Sequence, residues 1–270
     1  MRVVCSIAGS DSSAGAGIQA DLKATSQFYA CYCATVITAV TAQNTLGVQD
    51  AYQLPTTIVR AQIESVFSDL NVHVVKTGML GDAEMINTVA EELETRRPPK
   101  IVVDPVMISK TGFPLLADEA VETFKARIVP LATLITPNTH EAERLTGSRV
   151  KSIADAEQAG RALLELGASA ALVKGGHLAE SPGTDVLVTE DETRLIEREW
   201  IETKHTHGTG CTYASAIAAR LAYSQEWPLY ECVISAKYWL TEAIRYGIGL
   251  GHGVGPTQPF WDGEWGGFHD

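Results

Sequence analysis

Short runs of apolar and β-branched residues alternate with longer segments along nearly the whole chain. The short runs are typical of buried strands. In the longer segments apolar residues recur every three or four positions, which is typical of amphipathic helices. The predicted strands are 2–7, 34–40, 48–54, 72–76, 101–103, 131–135, 170–173, 185–189 and 195–199. The predicted helices are 18–28, 55–69, 82–96, 118–128, one starting at 141, 152–166, one starting near 210, and 229–246. This alternation predicts an α/β fold with a mostly parallel sheet covered by helices on both faces, in which the strands 185–189 and 195–199 form a hairpin.

Five candidate site residues share one position in this pattern, directly after a predicted strand: Gly9, Gln43, Asp104, Asn138 and Lys174. Taken singly, each signal has an ordinary alternative, such as a turn that uses Asn44 next to Gln43, a helix cap at Asn138 or a solvated side chain at Lys174. The carboxyl ends of parallel strands, however, meet at one edge of a sheet, where such folds bind their ligands. We therefore expect these residues to lie together around a ligand site.

The segment 206–216 is rich in glycine and leads into the helix predicted near 210. The first backbone N–H groups of a helix have no intrahelical partner, and together with the positive end of the helix dipole they favour an anion. Gly208 and Gly210 would let that backbone approach a bulky anion closely. Cys211 would lie in the first turn, where we expect the pKa of its thiol to fall, which makes it a candidate base. An ordinary glycine-rich helix start is the alternative.

Composition and charge narrow the possible functions. The 270 residues suit one large α/β domain, and no repeat or linker interrupts them, so we expect a single domain over 1–270 with a loosely packed tail from about 257. The net charge of −12 offers no basic surface for nucleic acid. Five cysteines in irregular spacing favour reduced thiols in a cytoplasmic protein over disulfides or zinc. No signal-peptide pattern occurs, and no apolar run reaches the roughly 20 residues of a membrane helix, so no membrane contact is expected.

Eight motifs then occur in the order typical of one enzyme family. They are 8–11 with 15–23, 38–44, 76–80, 103–107, 136–138, 174–177, 207–212 and 251–256. Together they resemble the motifs of hydroxymethylpyrimidine/phosphomethylpyrimidine kinases, which belong to the ribokinase-like superfamily. The resemblance covers nearly the full chain. The family usually has proline and glycine at the places of Ser12 and Ala14.

The resemblance implies a ribokinase-like three-layer αβα sandwich, a homodimer, and two successive phosphorylations of an aminopyrimidine methanol, with ATP and Mg²⁺, in thiamin biosynthesis. The implied substrate contacts are Gln43 at the aminopyrimidine edge with Gly9, Asp21, Val40, Met79 and Val106. The implied metal-organising carboxylates are Asp104 and Glu141. The implied nucleotide contacts are Asn138, Lys174, Thr206, Gly208 and Lys237. The implied catalytic residues are Cys211, Gly208, Gly210 and Lys174, with Cys211 at the position where most of the superfamily has an aspartate base.

Two other functions fit parts of the sequence. A pyridoxal or pyridoxine kinase of the same fold would share the phosphate-binding motifs, although Gln43 favours the aminopyrimidine. A non-catalytic pyrimidine-binding regulator would keep the pocket without turnover, but Asp104, Glu141, Lys174 and Cys211 are all present. For Cys211 itself two roles remain open. The thiol could take the proton of the substrate hydroxyl, or it could only orient that hydroxyl, because a loose phosphoryl-transfer transition state needs little help from a base.

Overall fold

The computed structural model describes residues 1–176, 178, 180–224 and 226–261. Within these residues nine strands form one sheet in the order β3-β2-β1-β4-β5-β6-β7-β8-β9. The strands are β1 (Arg2–Asp11), β2 (Cys31–Asn44), β3 (Gly47–Gln53), β4 (Val72–Thr77), β5 (Lys100–Val103), β6 (Leu134–Ile135), β7 (Ala170–Val173), β8 (Asp185–Thr189) and β9 (Thr193–Ile196). Six neighbouring strands pair in parallel, in the order β2, β1, β4, β5, β6 and β7, whereas β3, β8 and β9 pair antiparallel at the two edges. The predicted mostly parallel sheet is thus confirmed.

Helices cover both faces of this sheet. They are α1 (Gly17–Thr25), α2 (Thr56–Asp69), α3 (Ala83–Arg96), α4 (Val121–Arg127), α5 (Thr139–Thr146), α6 (Ile153–Glu165), α7 (Thr209–Tyr223) and α8 (Leu229–Arg245). Side chains alternate across each strand, so Val74 packs into a core with α1, α7 and α8, while its neighbour Val75 packs into a core with α2 to α6. The chain therefore forms the three-layer αβα sandwich that the resemblance implies.

Several element boundaries differ from the predicted ones. Strand β1 runs on to Asp11, which pairs with Thr41 of β2, and β2 runs on to Asn44, which pairs with Gly47 of β3. The predicted strand 131–135 shortens to Leu134–Ile135, because a 3₁₀ turn containing Pro130 occupies 129–131. The second strand of the hairpin is Thr193–Ile196 rather than 195–199. A 3₁₀ turn at 118–120 precedes α4, and α1 ends at Thr25, before Phe28.

Two helix starts near the sheet edge follow from their capping residues. Asp82 caps α3, where its carboxylate accepts a hydrogen bond from Met85 N at 2.9 Å. Asn138 caps α5 in a reciprocal arrangement with Glu141: each side chain accepts a hydrogen bond from the other residue's backbone N–H. Helix α5 consequently starts at Thr139, two residues earlier than predicted, and its first turn is fixed at the end of β6.

The tail was expected to be loosely packed from about 257, and for residues 257–261 this is wrong. Thr257 is buried, and Gln258 N donates a hydrogen bond to Ala243 O at 2.8 Å. The Trp261 ring stacks on Tyr246, with 6.1 Å between the ring centroids. The aromatic side chains therefore attach the tail to α8. The predicted remainder, 262–270, lies outside the described residues. None of the helices in the described ranges is long and apolar enough to cross a membrane.

Candidate active site

The carboxyl ends of the parallel strands open onto a cavity of about 720 Å³. Nearly all the candidate site residues line it: Gly9, Gln43, Met79, Asp104, Val106, Asn138, Glu141, Lys174, Thr206, Gly208, Gly210, Cys211 and Lys237. These residues come from segments spread over most of the chain, and the parallel sheet brings them to one edge, as the strand-end pattern predicts. Their placement around one cavity is thus confirmed, while their individual roles stay predictions.

Helix α7 starts at the centre of the cavity wall. Gly208, its capping residue, has a φ of 73°, and a Cβ at this position would lie 1.8 Å from the carbonyl oxygen of Gly15. Only glycine fits both the backbone conformation and this close approach. A Cβ added to Gly210 would lie 3.3 Å from Lys174 Nζ, so the lysine ammonium lies next to the first turn of the helix. The helix amides and the ammonium can therefore bind one anion together.

The Cys211 thiol lies beside this anion site, but its pKa is not lowered. Burial raises the pKa of the thiol to about 12, the nearby Lys76 ammonium opposes the rise, and the Asp104 and Asp21 carboxylates add to it. The expectation of a lowered pKa is therefore wrong, because burial among carboxylates outweighs the helix terminus. The thiol keeps its proton near neutral pH.

Asp104, Lys174 and Glu141 form a charged group next to the helix start. Lys174 Nζ lies 3.2 Å from Asp104 Oδ1, and Glu141 Oε2 accepts a hydrogen bond from Asn138 N at 2.7 Å. Burial raises the pKa of the Glu141 carboxyl to about 7, although Lys174 counteracts the rise. Burial alone would lower the pKa of Lys174, but the two carboxylates reverse this and raise it. The lysine is thus held in its charged form.

The second carboxylate oxygen of Asp104 gives this group its capacity for a cation. Asp104 Oδ2 is buried and has no hydrogen-bond partner among the described residues. A buried carboxylate oxygen without a partner is costly, and a hard cation would satisfy it. In the described part of the chain no group of three His, Cys, Asp or Glu side chains forms a complete metal cage. The residues fit Mg²⁺, which usually binds through one or two carboxylates together with substrate phosphates and water.

Asp21 was predicted to contact the substrate, and the structure corrects this assignment. Its side chain is 0% exposed and lies behind the cavity wall. Lys76 Nζ lies 2.8 and 2.9 Å from the two carboxylate oxygens, and the hydroxyls of Ser6 and Ser215 donate to them at 2.6 and 2.7 Å. The carboxylate is therefore fully occupied by neutralising a lysine buried in strand β4.

Val40 is a second predicted substrate contact that does not line the cavity. Side chains alternate along β2, and it is Thr41 and Gln43 that line the cavity. Val40 points to the opposite face and is 45% exposed. The prediction for Val40 is therefore wrong. The motif residue His177 lies outside the described residues.

Among the cavity residues that were not predicted as site residues, Thr41, Asp11 and His207 form a connected polar group with Gln43. His207 Nε2 lies 2.8 Å from Asp11 Oδ2, which also accepts hydrogen bonds from the backbone N–H groups of Gly15 and Ala16. Burial opposes ionisation of Asp11, but the hydrogen bonds from His207 and Ser13 prevail and hold the pKa of its carboxyl at about 2. His207 and Asp11 are 196 positions apart, so no local pattern could reveal the pair.

At the other end of the cavity, Lys237 was predicted to contact the nucleotide and proves to be partnered. Lys237 Nζ lies 2.8 Å from Asp185 Oδ2, and Asp185 Oδ1 accepts a hydrogen bond from Gly175 N at 2.9 Å. Asp185 thus connects α8 to the loop after β7. Its position at the start of the predicted hairpin gave no signal of this role.

Phosphoryl transfer requires little covalent chemistry from a protein, but it does require groups that position the reactants and neutralise charge. A helix N-terminus, an ammonium and paired carboxylates at the strand ends supply those groups here. Fold and site together define a small-molecule kinase of the ribokinase-like class.

Comparison with known proteins identifies the family. A family model described as phosphomethylpyrimidine kinase matches residues 11–258, and the chain belongs to this family of kinases. The hydroxymethylpyrimidine/phosphomethylpyrimidine kinase of Streptomyces coelicolor is 48% identical, over 96% of this chain and 94% of that protein. The phosphomethylpyrimidine kinase structure from Clostridium difficile 630 superposes with a TM-score of 0.80 at 42% identity, covering 90% of this chain and all of that one. The structure of an ADP complex of Bacillus subtilis pyridoxal kinase superposes with a TM-score of 0.89 at 34% identity. The match covers 97% of this chain and 98% of that one.

Proposed function

We propose that this kinase phosphorylates 4-amino-5-hydroxymethyl-2-methylpyrimidine to its monophosphate and then to its diphosphate, using ATP, in thiamin biosynthesis. The observation that carries the proposal is that one cavity holds both Gln43, which suits an aminopyrimidine edge, and the helix start at Gly208 with Lys174. Membership of the phosphomethylpyrimidine kinase family supports the same substrate. The first step would transfer a phosphoryl group to the hydroxymethyl oxygen, and the second would transfer one to a phosphate oxygen of the resulting monophosphate, with one ADP released in each step.

The pyrimidine would bind between β1, β2 and the loop after β4. The amide of Gln43 offers a donor and an acceptor to the amino group and ring nitrogen. Gly9 leaves room for the ring, because a Cβ there would already lie 3.0 Å from Met79 Sδ. Met79 and Val106 supply apolar contacts from the cavity wall. The hydroxymethyl group would then point toward Cys211.

The transferred phosphoryl group would lie at the start of α7. The backbone N–H groups near Gly210 and the Lys174 ammonium face the charge that grows on its oxygens, and both are fixed before the reaction starts. Asp104 and Glu141 would hold Mg²⁺, which would supply positive charge to offset part of the negative charge of the phosphates. Asn138, Thr206 and Lys237 line the part of the cavity proposed for the rest of the nucleotide.

Cys211 would orient the acceptor hydroxyl rather than deprotonate it. A thiol whose pKa is raised to about 12 holds its own proton and cannot take another. The loose transition state makes this role sufficient, since the acceptor oxygen gains little bond order before the transfer is well advanced.

Pyridoxal is the second candidate substrate, because the B. subtilis pyridoxal kinase structure superposes closely on this chain. The deciding experiment measures ADP release by the purified protein with ATP, Mg²⁺ and each acceptor in turn: the hydroxymethylpyrimidine, its monophosphate and pyridoxal. We expect turnover with both pyrimidines and a lower kcat/KM with pyridoxal. Turnover with pyridoxal alone would contradict the proposal. A shift in melting temperature with the pyrimidine but no ADP release would indicate the non-catalytic regulator.

We also propose a single domain, a cytoplasmic location and a homodimer. One sheet spans the described strands, and all five cysteines are free thiols, which supports the first two. The dimer follows from the family resemblance, and light scattering of the purified protein would test it.

A further inference from the structure

The side-chain amide of Gln43 lies between two polar residues of the cavity wall. Gln43 Oε1 is 3.1 Å from Thr41 Oγ1, and Gln43 Nε2 is 3.3 Å from His207 Nε2. Each neighbour has a second partner: Thr41 Oγ1 lies 3.0 Å from the carbonyl oxygen of Ser10, and His207 Nε2 lies 2.8 Å from Asp11 Oδ2. These second partners decide which end of the amide can face which neighbour.

The ring nitrogen of His207 must carry a hydrogen. The Asp11 carboxyl, with a pKa of about 2, is ionised and can only accept, so His207 Nε2 donates to it at 2.8 Å. A second donor placed against the same N–H would be repelled. The atom of Gln43 that faces His207 should therefore be the amide oxygen, which can share that hydrogen with Asp11.

The hydroxyl of Thr41 leads independently to the same orientation. It has one hydrogen, and the backbone carbonyl of Ser10, which can only accept, takes it. The oxygen of Thr41 then offers lone pairs to its other neighbour. The atom of Gln43 that faces Thr41 should therefore be the amide nitrogen, which is a donor.

A half-turn of the Gln43 side-chain amide places its oxygen against His207 and its nitrogen against Thr41, so it meets both conditions. The half-turn only exchanges the oxygen and the NH₂ group, which are nearly equal in size. We infer that Thr41 and His207 are positioning residues that lock the Gln43 amide, with its oxygen on His207 and its nitrogen on Thr41, and that this lock selects a 4-aminopyrimidine over a 4-oxopyrimidine. The inference rests on the proposed function, since it takes Gln43 as the group that reads the pyrimidine.

The selection follows from counting hydrogen bonds. In the locked amide, the oxygen keeps one lone pair and the nitrogen keeps one hydrogen for a ligand. A 4-aminopyrimidine presents a donor next to an acceptor, and a 4-oxopyrimidine presents the same two groups in the opposite order. With the hydroxymethyl group directed toward Cys211, the ring cannot turn over to reverse this order. A freely rotating amide could match either order, whereas a locked amide matches only one, which on the proposed function is that of the amino compound, and leaves the other compound with unpaired polar groups.

The test compares 4-amino-5-hydroxymethyl-2-methylpyrimidine with its 4-oxo counterpart as acceptors for the full-length protein. The measured quantity is the ratio of their kcat/KM values. Both compounds carry the same hydroxymethyl group, so any change in phosphoryl transfer itself cancels in the ratio. We expect wild type to favour the amino compound, and Thr41→Val and His207→Leu each to lower the ratio by roughly tenfold, the loss expected when one hydrogen bond is no longer enforced.

Conservative variants separate this role from a merely structural one. Thr41→Ser keeps the hydroxyl, and His207→Gln keeps an N–H donor at similar reach, so both should recover most of the ratio. Gln19→Leu is the matched control. The Gln19 side chain bonds Asp11 N and Ser10 Oγ at 2.9 and 2.8 Å, in the same segment, without being a hydrogen-bond partner of the Gln43 amide. Gln19→Leu should lower kcat/KM for both substrates by the same factor and so leave the ratio unchanged.

Three results would overturn the inference. In the first, Thr41→Val and His207→Leu keep the wild-type ratio. In the second, Gln19→Leu lowers the ratio as much as they do. In the third, wild type turns over both pyrimidines equally well. In all three cases the proposed function survives, because the amino compound is still phosphorylated. If wild type phosphorylates neither pyrimidine, the proposed function is wrong and the inference falls with it.

Discussion

At the scale of single residues, Cys211 shows how the surroundings of a side chain decide its chemistry. The residue lies in the first turn of α7, where a helix terminus and a nearby ammonium favour a thiolate. Burial next to Asp104 and Asp21 has the larger effect and raises the pKa of the thiol. The same residue in the same helix position would be a base in a more exposed and less acidic site.

An orienting role for Cys211 predicts a modest effect of its removal. We expect Cys211→Ala to lower kcat by less than about tenfold, whereas removing a general base typically costs about 10²–10⁴-fold. We also expect the profile of kcat against pH between 6 and 9 to keep its shape. A loss of more than a hundredfold, with a new dependence on pH, would show that the thiol is the base.

Asp11 gives a residue-scale prediction for stability against pH. Its carboxyl has a pKa of about 2 in the folded protein and an ordinary value of 3.8, so its contribution to stability is fully present above pH 4 and is lost as the pH falls through 2. The shift corresponds to about 2 kcal/mol. Asp11→Asn should lower the free energy of unfolding by about this amount at pH 7. The difference from wild type should shrink between pH 4 and 2, as denaturant unfolding at each pH would show. A difference that stays constant over that range would contradict the assignment.

At the scale of elements, the start of α7 combines a left-handed backbone with a close approach to another chain segment. Gly208→Ala would strain the backbone at a φ of 73° and would also place a Cβ 1.8 Å from Gly15 O. It should therefore lower the free energy of unfolding by more than the backbone strain alone would. Gly147→Ala is the matched control, because Gly147 has a φ of 77° and nothing within 4 Å of an added Cβ. We expect Gly147→Ala to cost about 1 kcal/mol of unfolding free energy and Gly208→Ala clearly more, with a loss of kcat as well. Equal costs for the two variants would contradict the close approach.

The elements themselves could largely be predicted from the sequence. The alternation of strand and helix patterns and the position of candidate site residues directly after strands are visible in the sequence, and the structure contains both. The pairs Asp11–His207 and Asp21–Lys76 could not be predicted, because their partners lie 196 and 55 positions apart and meet only when the layers pack. Asp21 was misassigned for this reason: its motif position was visible, but its buried partner was not.

At the scale of the whole molecule, the Asp21–Lys76 pair joins the sheet to the helices above it. Asp21 belongs to α1 and Lys76 to β4, while the hydroxyls that complete the network come from β1 and α7. Both charged side chains are 0% exposed. A buried pair of this kind is costly to break, because removal of one partner leaves the other charge uncompensated.

Breaking this pair should therefore affect stability more than substrate binding. We expect Asp21→Asn to lower the free energy of unfolding by about 3–5 kcal/mol, while the double variant Asp21→Leu/Lys76→Met loses clearly less, because it leaves no buried charge. Denaturant unfolding measures both. If Asp21→Asn instead left the stability unchanged and raised the KM for the pyrimidine, the carboxylate would be a substrate contact after all.

We propose above all that one cavity carries out two successive phosphoryl transfers, the first to the pyrimidine hydroxyl and the second to the phosphate formed there. The most direct test is ³¹P nuclear magnetic resonance of a reaction that contains the protein, excess ATP, Mg²⁺ and a limiting amount of 4-amino-5-hydroxymethyl-2-methylpyrimidine. We expect a transient monoester signal that is replaced by the paired signals of a pyrimidine diphosphate, with two ADP formed for each pyrimidine. A reaction that stops at the monophosphate with one ADP, or that forms no pyrimidine phosphate, would contradict it.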